Sequence, residues 1–448
     1  MSDAPLLDRT LSGLGIDRAF SWTVAARVWS ILAGPVSVVL IAAHLSAEEQ
    51  GFYYTFASIV AFQVVFELGL GLVIVQFASH EKAFLEWRSD GTLGGSDVEK
   101  SRLAVLLRKT LQWYGVATAG AAAALLIGGT LFLAHKPSAV EGWTAPWIAL
   151  ALFAGGALFL TPFLSLLEGC GLVVDVARLR TWQVIASNLA GWTVLLAGGA
   201  LWASPAIMGA SLLVGGAWLW SAHRRFFADL LRTRDGEISW RREVWPFQWR
   251  IAVSWISSYF SLHLFIPILF NFHGPAAAGR MGMSLTLASA VFFVATSLLT
   301  TKVPRLGELI ARRDFAELDA RFFPLMRRSV GVMALGAAML FGGTFALRAL
   351  GHRWSDRLLE PLPFVLLLAA MVAQTIFFAQ AVYLRAHKQE PLLWIFIAGS
   401  VAVAGCALIL GRRFGATGMM LGYLLTTLVV SLGGGTWVFG RKRREWHA

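Results

Sequence analysis

The sequence predicts an all-α polytopic membrane protein with about twelve transmembrane helices. Of its 448 residues, 57% are hydrophobic and only 14% are charged, and the mean hydropathy is +0.65. Soluble domains carry about 25% charged residues, and a helix needs about 20 mostly apolar residues to cross a bilayer. Twelve such stretches lie between polar breaks, so no room is left for a sizeable soluble domain.

The predicted spans follow one another with mostly short connections. The fifth and sixth are separated by residues 203–206 only. In chain order, the twelve spans begin near Phe20, Gly51, Leu111, Ala145, Thr181, Pro205, Trp249, Gly282, Val330, Pro361, Pro391 and Gly415.

A basic segment after the sixth span divides the chain into two halves. We expect an N-terminal six-helix bundle at 1–222, a cytoplasmic basic linker at 223–248, and a C-terminal six-helix bundle with a basic tail at 249–448. Each half continues after its first span with small residues and a glycine, Gly51 or Gly279, which indicates a duplication. Two parallel bundles of this kind enclose a central cleft.

Lysine and arginine are distributed unevenly around these spans. Of the 38 Lys and Arg, 30 lie in segments predicted to face the cytoplasm, one (Arg27) lies in the first span, and seven lie in outward loops, namely Lys136, Arg280, Arg348, Arg353, Arg357, Arg412 and Arg413. The positive-inside rule therefore predicts that both termini are cytoplasmic. The net charge of +12 follows from this topology, so we expect contact with anionic lipids and no binding of nucleic acid.

Sequence motifs of the common enzyme classes are missing. Cys170 and Cys406 are the only cysteines, so neither a disulfide framework nor a cysteine metal site is expected. There is no P-loop, no HExxH and no GxSxG. We expect no cofactor, no metal and no catalytic residue, although a catalyst based on a membrane-embedded His or Glu stays open.

Glu67 is the deepest charged group, within FQVVFELGLGLVIVQF of the second span. It lies about 16 residues into that span, or about 24 Å along a continuous helix. A charge at that depth costs about 2.5 to 3.5 kcal/mol on insertion scales. Two interpretations remain open: a protonated carboxyl hydrogen-bonded inside a bundle, or a cavity-facing group that couples protons or gates the protein.

Three basic side chains are further candidates for the cavity. Arg27, in the first span, either extends to the inner interface or supplies a fixed positive charge for a phosphate-bearing substrate. His263, in the seventh span, is either a satisfied core histidine or the counterpart of Glu67. Lys302 ends the eighth span and is either a boundary lysine or a substrate contact.

Neutral polar groups and prolines complete the candidates. Amides within spans, which hydrogen-bond between helices or bind sugar hydroxyls, are Gln63, Gln183, Asn188, Gln374 and Gln380. Pro35 and Pro267 remove a backbone hydrogen bond from the first and seventh spans, so they are hinge candidates. Asp314 and Glu317 have capping-box spacing, which predicts the start of a short helix on the inner membrane surface.

Several segments in order along the chain resemble the polysaccharide or O-antigen flippases, within the larger group that includes multidrug-and-toxin exporters and lipid II flippases. The resemblance is carried by residues 44–80, 167–183, 304–329 and 412–427. It implies twelve helices in two six-helix bundles that form a V-shaped central cleft and open alternately to each side. Lipid II flippases use several cavity arginines, whereas here only Arg27 lies within a span, which argues against lipid II.

The resemblance implies a flippase of the bacterial inner membrane that moves a polyprenyl-pyrophosphate-linked oligosaccharide to the outer leaflet for surface polysaccharide biosynthesis. We expect it to work as a monomer, with proton or sodium coupling through Glu67 as a possible addition. A cation-coupled drug exporter on the same architecture is the main alternative. A membrane-embedded glycan-modifying enzyme that uses His263 or Glu67 is a further one, disfavoured by the short outward loops.

Overall fold

A computed structural model describes residues 18–135, 140–233, 263–387 and 389–447, together with residues 239, 240, 243, 245, 248, 249, 252, 256 and 259. Residues 1–17, the outward-loop residue Lys136, much of the predicted linker 223–248 and most of the first half of the seventh span lie outside this description.

Helices account for nearly all of the described chain. Up to residue 233 they are α1 (Arg18–His44), α2 (Ala47–Val60), α3 (Val64–Glu67), α4 (Leu70–Lys82), α5 (Asp97–Ala123), α6 (Thr130–Ala134), α7 (Thr144–Gly169), α8 (Val173–Leu196), α9 (Ala203–Trp218) and α10 (Arg224–Arg232). From residue 263 they are α11 (Phe265–His273), α12 (Pro275–Thr300), α13 (Val303–Ala311), α14 (Phe315–Ala349), α15 (Pro361–Ala386), α16 (Leu393–Thr426) and α17 (Gly435–His447).

Short irregular turns connect or interrupt these helices. Tight 3-10 turns are formed by Ala61–Gln63, Ala200–Trp202 and Arg353–Arg357, and wider π turns by Ala124–Gly129, Leu219–His223 and Thr427–Gly434. Strands β1 (Leu85–Trp87) and β2 (Leu93–Gly95) form an antiparallel hairpin in which Leu85 pairs with Gly95.

The described residues form two compact units. The first contains those of Met1–Leu45, Val60–Ala134 and Glu141–Trp255, and the second those of Ser46–Ile59, His135–Val140 and Ile256–Ala448. Helix α2 therefore belongs to the second unit, although it precedes most of the first in sequence. The division at 1–222, 223–248 and 249–448 stays a prediction.

Small residues bring helices of the first unit close together. A β-carbon added to Gly169, at the end of α7, would lie 2.6 Å from the β-carbon of Ala78 on α4. Such contacts let membrane helices gain packing energy where lipid offers no hydrophobic drive. Helix α10 buries Phe226, Phe227 and Leu230 in the same unit, while its arginine side chains are exposed.

An aromatic and ionic cluster ties the C-terminal helix into the second unit. The Tyr383 hydroxyl on α15 donates to Asp319 on α14 at 2.9 Å, and Arg443 on α17 donates to both oxygens of the same carboxylate. The rings of Phe322 and Phe439 pack against Tyr383 with centroids 4.7 and 5.2 Å away. Charge-assisted, two-pronged contacts of this kind hold three helices at one end.

The fold class predicted from the sequence is confirmed. Among the described residues, eight helices are long and apolar enough to cross a membrane, and the bent pair Ala47–Glu67 and Leu70–Lys82 makes a ninth when it is counted as one span. Helix α8, which contains the start of the fifth predicted span at Thr181, has 24 residues and carries two arginines, Arg178 and Arg180, near its beginning. The eleventh and twelfth predicted spans form the run Leu393–His447, which is kinked at Gly415 (φ 60°).

Two local expectations need correction. Asp314 does cap a helix, because its carboxylate accepts the Glu317 N–H at 3.1 Å, but that helix is the 35-residue α14 rather than a short surface helix. The short helix is α13, immediately before it. The second span is also not one continuous helix: the run Ala47–Glu67 ends at the carboxylate, and the chain bends by 45° before Leu70–Lys82.

Candidate functional site

The second span is broken beside its carboxylate. Helix α3 ends at Glu67, and the next two residues, Leu68 (φ 53°) and Gly69 (φ 64°), are both left-handed. Glycine takes this conformation without steric cost, whereas for leucine it costs roughly 1–2 kcal/mol. The second span therefore has its bend where the sequence reads Glu-Leu-Gly.

Residues 61–68, here called the break segment, differ from the helices on either side in their burial. None of these residues is buried, although all are partly covered. By contrast, α2 buries most of its residues and α4 buries Leu70, Val73 and Ile74 completely. The break segment is thus less tightly packed than the helices on either side of it.

Two hydroxyl groups, from Tyr114 and Ser165, lie near Glu67 within the first unit. The buried Tyr114 hydroxyl on α5 interacts with its carboxylate, and no hydrogen bond of good geometry satisfies that hydroxyl among the described residues. A β-carbon added to Gly71 would lie 3.3 Å from Glu67 Oε1 and 3.1 Å from Ser165 Oγ on α7. A carboxylate among hydroxyls can hold a proton or attract a cation.

Gln63 lies one helical turn before Glu67 in the break segment. Its Oε1 is buried and has no hydrogen-bond donor among the described residues. In the part of the chain that the structure describes, no Lys, Arg or His forms an ion pair with Glu67 either. Two of the predicted site residues, Gln63 and Glu67, therefore lie together in the otherwise apolar break segment.

Arg27 lies on α1, which packs against α8. The indole N–H of Trp192 donates to Ser37 Oγ at 2.9 Å, and the Thr181 hydroxyl donates to the Trp22 carbonyl at 3.1 Å. Arg27 is half-buried. Pro35 lies inside the same helix, which continues through it from Arg18 to His44.

His263 begins the described part of the chain before α11, and its side chain is partly exposed to the surroundings. Its ring stacks on Tyr259 at 5.4 Å. His263 and Leu264 form a turn before α11 begins at Phe265. Pro267 accounts for this turn, because a proline disturbs the carbonyl four residues earlier.

The two remaining site candidates lie on other helices of the second unit. Lys302 forms the turn between α12 and α13 and is exposed. Gln374 is half-buried on α15. Hydrogen bonding between helices is seen for two other amides: Gln380 donates to Thr436 at 2.9 Å, and Gln183 donates to the Ser211 carbonyl at 3.0 Å.

Sequence reasoning missed the crossing of α2 and α12, although it had singled out both glycines. A β-carbon on Gly51 would lie 2.0 Å from the Pro275 carbonyl oxygen, and one on Gly279 would lie 2.9 Å from the Gly51 nitrogen. Between them, the buried Gln50 donates to the carbonyls of Gly279 (2.9 Å) and Arg357 (3.1 Å). Both helices belong to the second unit.

The sequence contains a capping box that marks the start of α2. Ser46 and Glu49 exchange backbone and side-chain hydrogen bonds of 2.7 and 3.2 Å, as the Ser-x-x-Glu pattern predicts. Helix α2 therefore starts at Ala47, which places Gln50 inside it. The sequence gives no signal that Tyr114 contacts Glu67, because the two residues are far apart in the chain and no spacing rule connects them.

The chain matches no protein-family model and no curated protein sequence. Solved structures do match. The lipid II flippase MurJ in an inward closed conformation aligns with a TM-score of 0.67 at 12% identity, over 93% of this chain and 87% of that one. An inward-facing multidrug resistance MATE transporter of the MOP superfamily aligns with a TM-score of 0.61 at 14% identity, over 95% and 98%.

A mutant of the Vibrio cholerae MATE transporter VcmN aligns with a TM-score of 0.55 at 13% identity, over 96% of this chain and 98% of that one. These similarities extend over nearly the whole chain, so no large part is left with a different architecture. At such low identity they concern the backbone and not the side chains of a site. The chain therefore has the fold shared by the MurJ flippase and the MATE transporters.

Proposed function

We propose that the protein is a flippase of the bacterial inner membrane that moves a polyprenyl-pyrophosphate-linked oligosaccharide to the outer leaflet by alternating access. The observation that carries this proposal is the similarity to a lipid II flippase over 93% of the chain, at a higher TM-score than to the MATE transporters. The polyprenyl-linked glycan, as distinct from lipid II, is supported by the quoted sequence resemblance. The described residues include no large extramembrane domain that would supply another activity.

The physical mechanism requires no ATP. The sugar-pyrophosphate head crosses through the protein while the prenyl chain stays in lipid. Because the cell interior is negative, outward movement of an anion is favoured by about 2.3 kcal/mol per charge per 100 mV. A head group with two charges therefore gains about 4–5 kcal/mol per 100 mV.

Arg27 and Glu67 have separate roles in this proposal. Arg27 supplies the fixed cation that a pyrophosphate needs during transit. Glu67, in the partly covered break segment and next to Tyr114, takes up and releases a proton or a sodium ion during the cycle. Gln63, Gln374 and His263 are proposed as polar contacts of the head group, and Pro35 and Pro267 as hinges.

A cation-coupled exporter of small molecules is the second candidate. It is favoured by the MATE transporters among the matching structures and by the Glu67 carboxylate, which no described cation neutralises. It predicts altered drug resistance on deletion, with surface glycan unchanged. An enzyme is not proposed, because the matching proteins are transporters and flippases.

The deciding experiment is a deletion strain from which polyprenyl-linked sugars are extracted. Intact spheroplasts are treated with a glycan-cleaving probe that acts only from outside. We expect lipid-linked oligosaccharide to accumulate in a protected form and the wild-type gene to restore cleavage. If no lipid-linked oligosaccharide accumulates and the surface glycan is intact, the result favours the small-molecule exporter instead.

Arg27 is tested in the same strain. Arg27→Ala is expected to abolish complementation and Arg27→Lys to retain most of it. Arg178→Ala is the matched control, since Arg178 is exposed on α8 and pairs with Asp175 at 3.1 Å. Normal glycan export by Arg27→Ala at normal protein level would contradict the proposed role of this residue.

A further inference from the structure

A basic cavity of about 760 Å³ lies in the second unit where α12, α13 and α14 meet. Four cations line it: Lys302, Arg305, Arg321 and Arg328. The described residues around it thus concentrate positive charge at the end of an apolar helix. The site is built from the turn after α12, the first turn of α13 and the first third of α14.

Two of the four cations are already paired with acids. Arg305 pairs with Glu308 one turn later on α13, and Arg321 pairs with Glu317 on α14. Lys302 and Arg328 have no acidic partner among the described residues, and both side chains are exposed. The cavity therefore carries two positive charges that no described carboxylate neutralises.

The start of α13 adds to this positive character. Lys302 is its N-cap residue, and no side chain caps the helix there. The backbone N–H groups of a first helical turn lack helical acceptors and carry the positive end of the helix dipole. Thr301, Lys302, Pro304 and Arg305 line the cavity at this turn, although Pro304 itself contributes no N–H donor.

The same cavity has an apolar side, and exposed apolar residues precede it on the membrane helix α12. Leu306, Pro324 and Leu325 line it. On α12, Val294 and Leu298 lie at helical spacing before Thr301 and are 36% and 37% exposed. An apolar stripe that ends at a cluster of cations matches an acyl chain joined to an anionic head.

We propose that this cavity binds the phosphate of an anionic phospholipid, with Lys302 and Arg328 as its two charged contacts. Basic pockets between membrane helices bind such head groups in other proteins. Arg328 offers the fork of N–H donors that fits two phosphate oxygens, and Lys302 a compact positive charge. The acyl chains lie along Val294 and Leu298. The site does not depend on what the protein transports.

The chain offers a matched pair of double variants for the test. Lys302→Gln with Arg328→Gln removes the two unpaired charges of the cavity. Arg313→Gln with Arg327→Gln removes two neighbouring exposed charges that do not line it. Both pairs lower the net charge equally, so a difference between them reports position and not total charge.

Purified, delipidated protein is titrated with dioleoyl phosphatidylglycerol and, separately, with dioleoyl phosphatidylcholine. Bound lipid is counted by native mass spectrometry. We expect the cavity pair to lose about 30-fold in affinity for phosphatidylglycerol, at about fivefold per cation, and the control pair to stay within about threefold of the wild type. Phosphatidylcholine binding should not separate the variants.

Three results would overturn the proposal: unchanged phosphatidylglycerol binding by the cavity pair, an equal loss in both pairs, or displacement of bound phosphatidylglycerol by undecaprenyl pyrophosphate. The last would show that the phosphate site serves a prenyl lipid. Should the cavity pair fail to fold, Arg328→Gln against Arg327→Gln gives the same comparison with one charge each. Glycan export is not a readout here, so failure of this site leaves the proposed transport function standing.

Discussion

Helix α2 and the break segment, which follow one another in the second span, differ in how tightly they are packed. Helix α2 is packed by glycine against α12, with backbone atoms in direct contact at Gly51 and Pro275. The break segment, only ten residues further on, has no buried residue and carries Gln63 and Glu67. Close packing leaves no volume for a side chain at Gly51, whereas the break segment is only partly covered and carries two polar groups. One part of the span therefore serves packing and the other carries the polar groups.

The largest effect should come from adding volume to the packed part. Gly51→Ala places a methyl group 2.0 Å from the Pro275 carbonyl oxygen, so the helices must separate, at an expected cost of about 3 kcal/mol. Gly331→Ala on α14 is the control, because its added β-carbon meets nothing within 4 Å. It should stabilise by about 0.5–1 kcal/mol.

Unfolding of both variants in mixed detergent micelles measures this difference. Equal stability of the two variants would remove the contrast between the packed part and the break segment.

Changing Glu67 tests whether the break segment serves chemistry rather than packing. Glu67→Leu should destabilise by about 1–3 kcal/mol, since the buried Tyr114 hydroxyl loses its polar neighbour. Glu67→Gln keeps a polar partner and should be close to the wild type in stability. Under the proposed ion coupling, however, it should reduce transport at least about tenfold.

A second variant separates the two effects of Glu67. Adding Tyr114→Phe to Glu67→Leu should recover most of the lost stability, because two apolar partners leave no buried hydroxyl. Full transport by Glu67→Gln would leave Glu67 with a structural role only.

The left-handed conformation of the turn can be tested by substituting each of its two residues. Gly69→Ala should destabilise by about 1 kcal/mol, and Leu68→Gly should stabilise by a similar amount, because only glycine adopts these dihedral angles freely. The same unfolding titration applies to both. Effects of the same sign in the two variants would contradict a turn with two left-handed residues.

The smallest effect is expected at Gly71, which lies just after the break. An added methyl group would meet Ser165 Oγ at 3.1 Å and Glu67 Oε1 at 3.3 Å. Both atoms end side chains that can shift, so Gly71→Ala should cost about 0.5–1 kcal/mol. A loss as large as that of Gly51→Ala would mean that the break segment is packed as tightly as α2.

The pattern of apolar stretches was sufficient to predict an all-α polytopic protein. Each span must form its own backbone hydrogen bonds in lipid, which favours helices, and it needs about 20 residues to cross the bilayer. The helix cap at Asp314 was likewise readable, since it depends on residues three apart. Glu67 and Gln63 stood out because charges and amides are rare at such depth.

Only the tertiary structure showed which groups lie next to these residues. It showed that the second span breaks after Glu67, that Tyr114 and Ser165 approach from other helices, and that α2 belongs to the second unit. It also brought Lys302 and Arg328 to one cavity. Length and hydropathy are local properties of a sequence, whereas contacts between helices depend on side chains far apart in the chain, which only packing brings together.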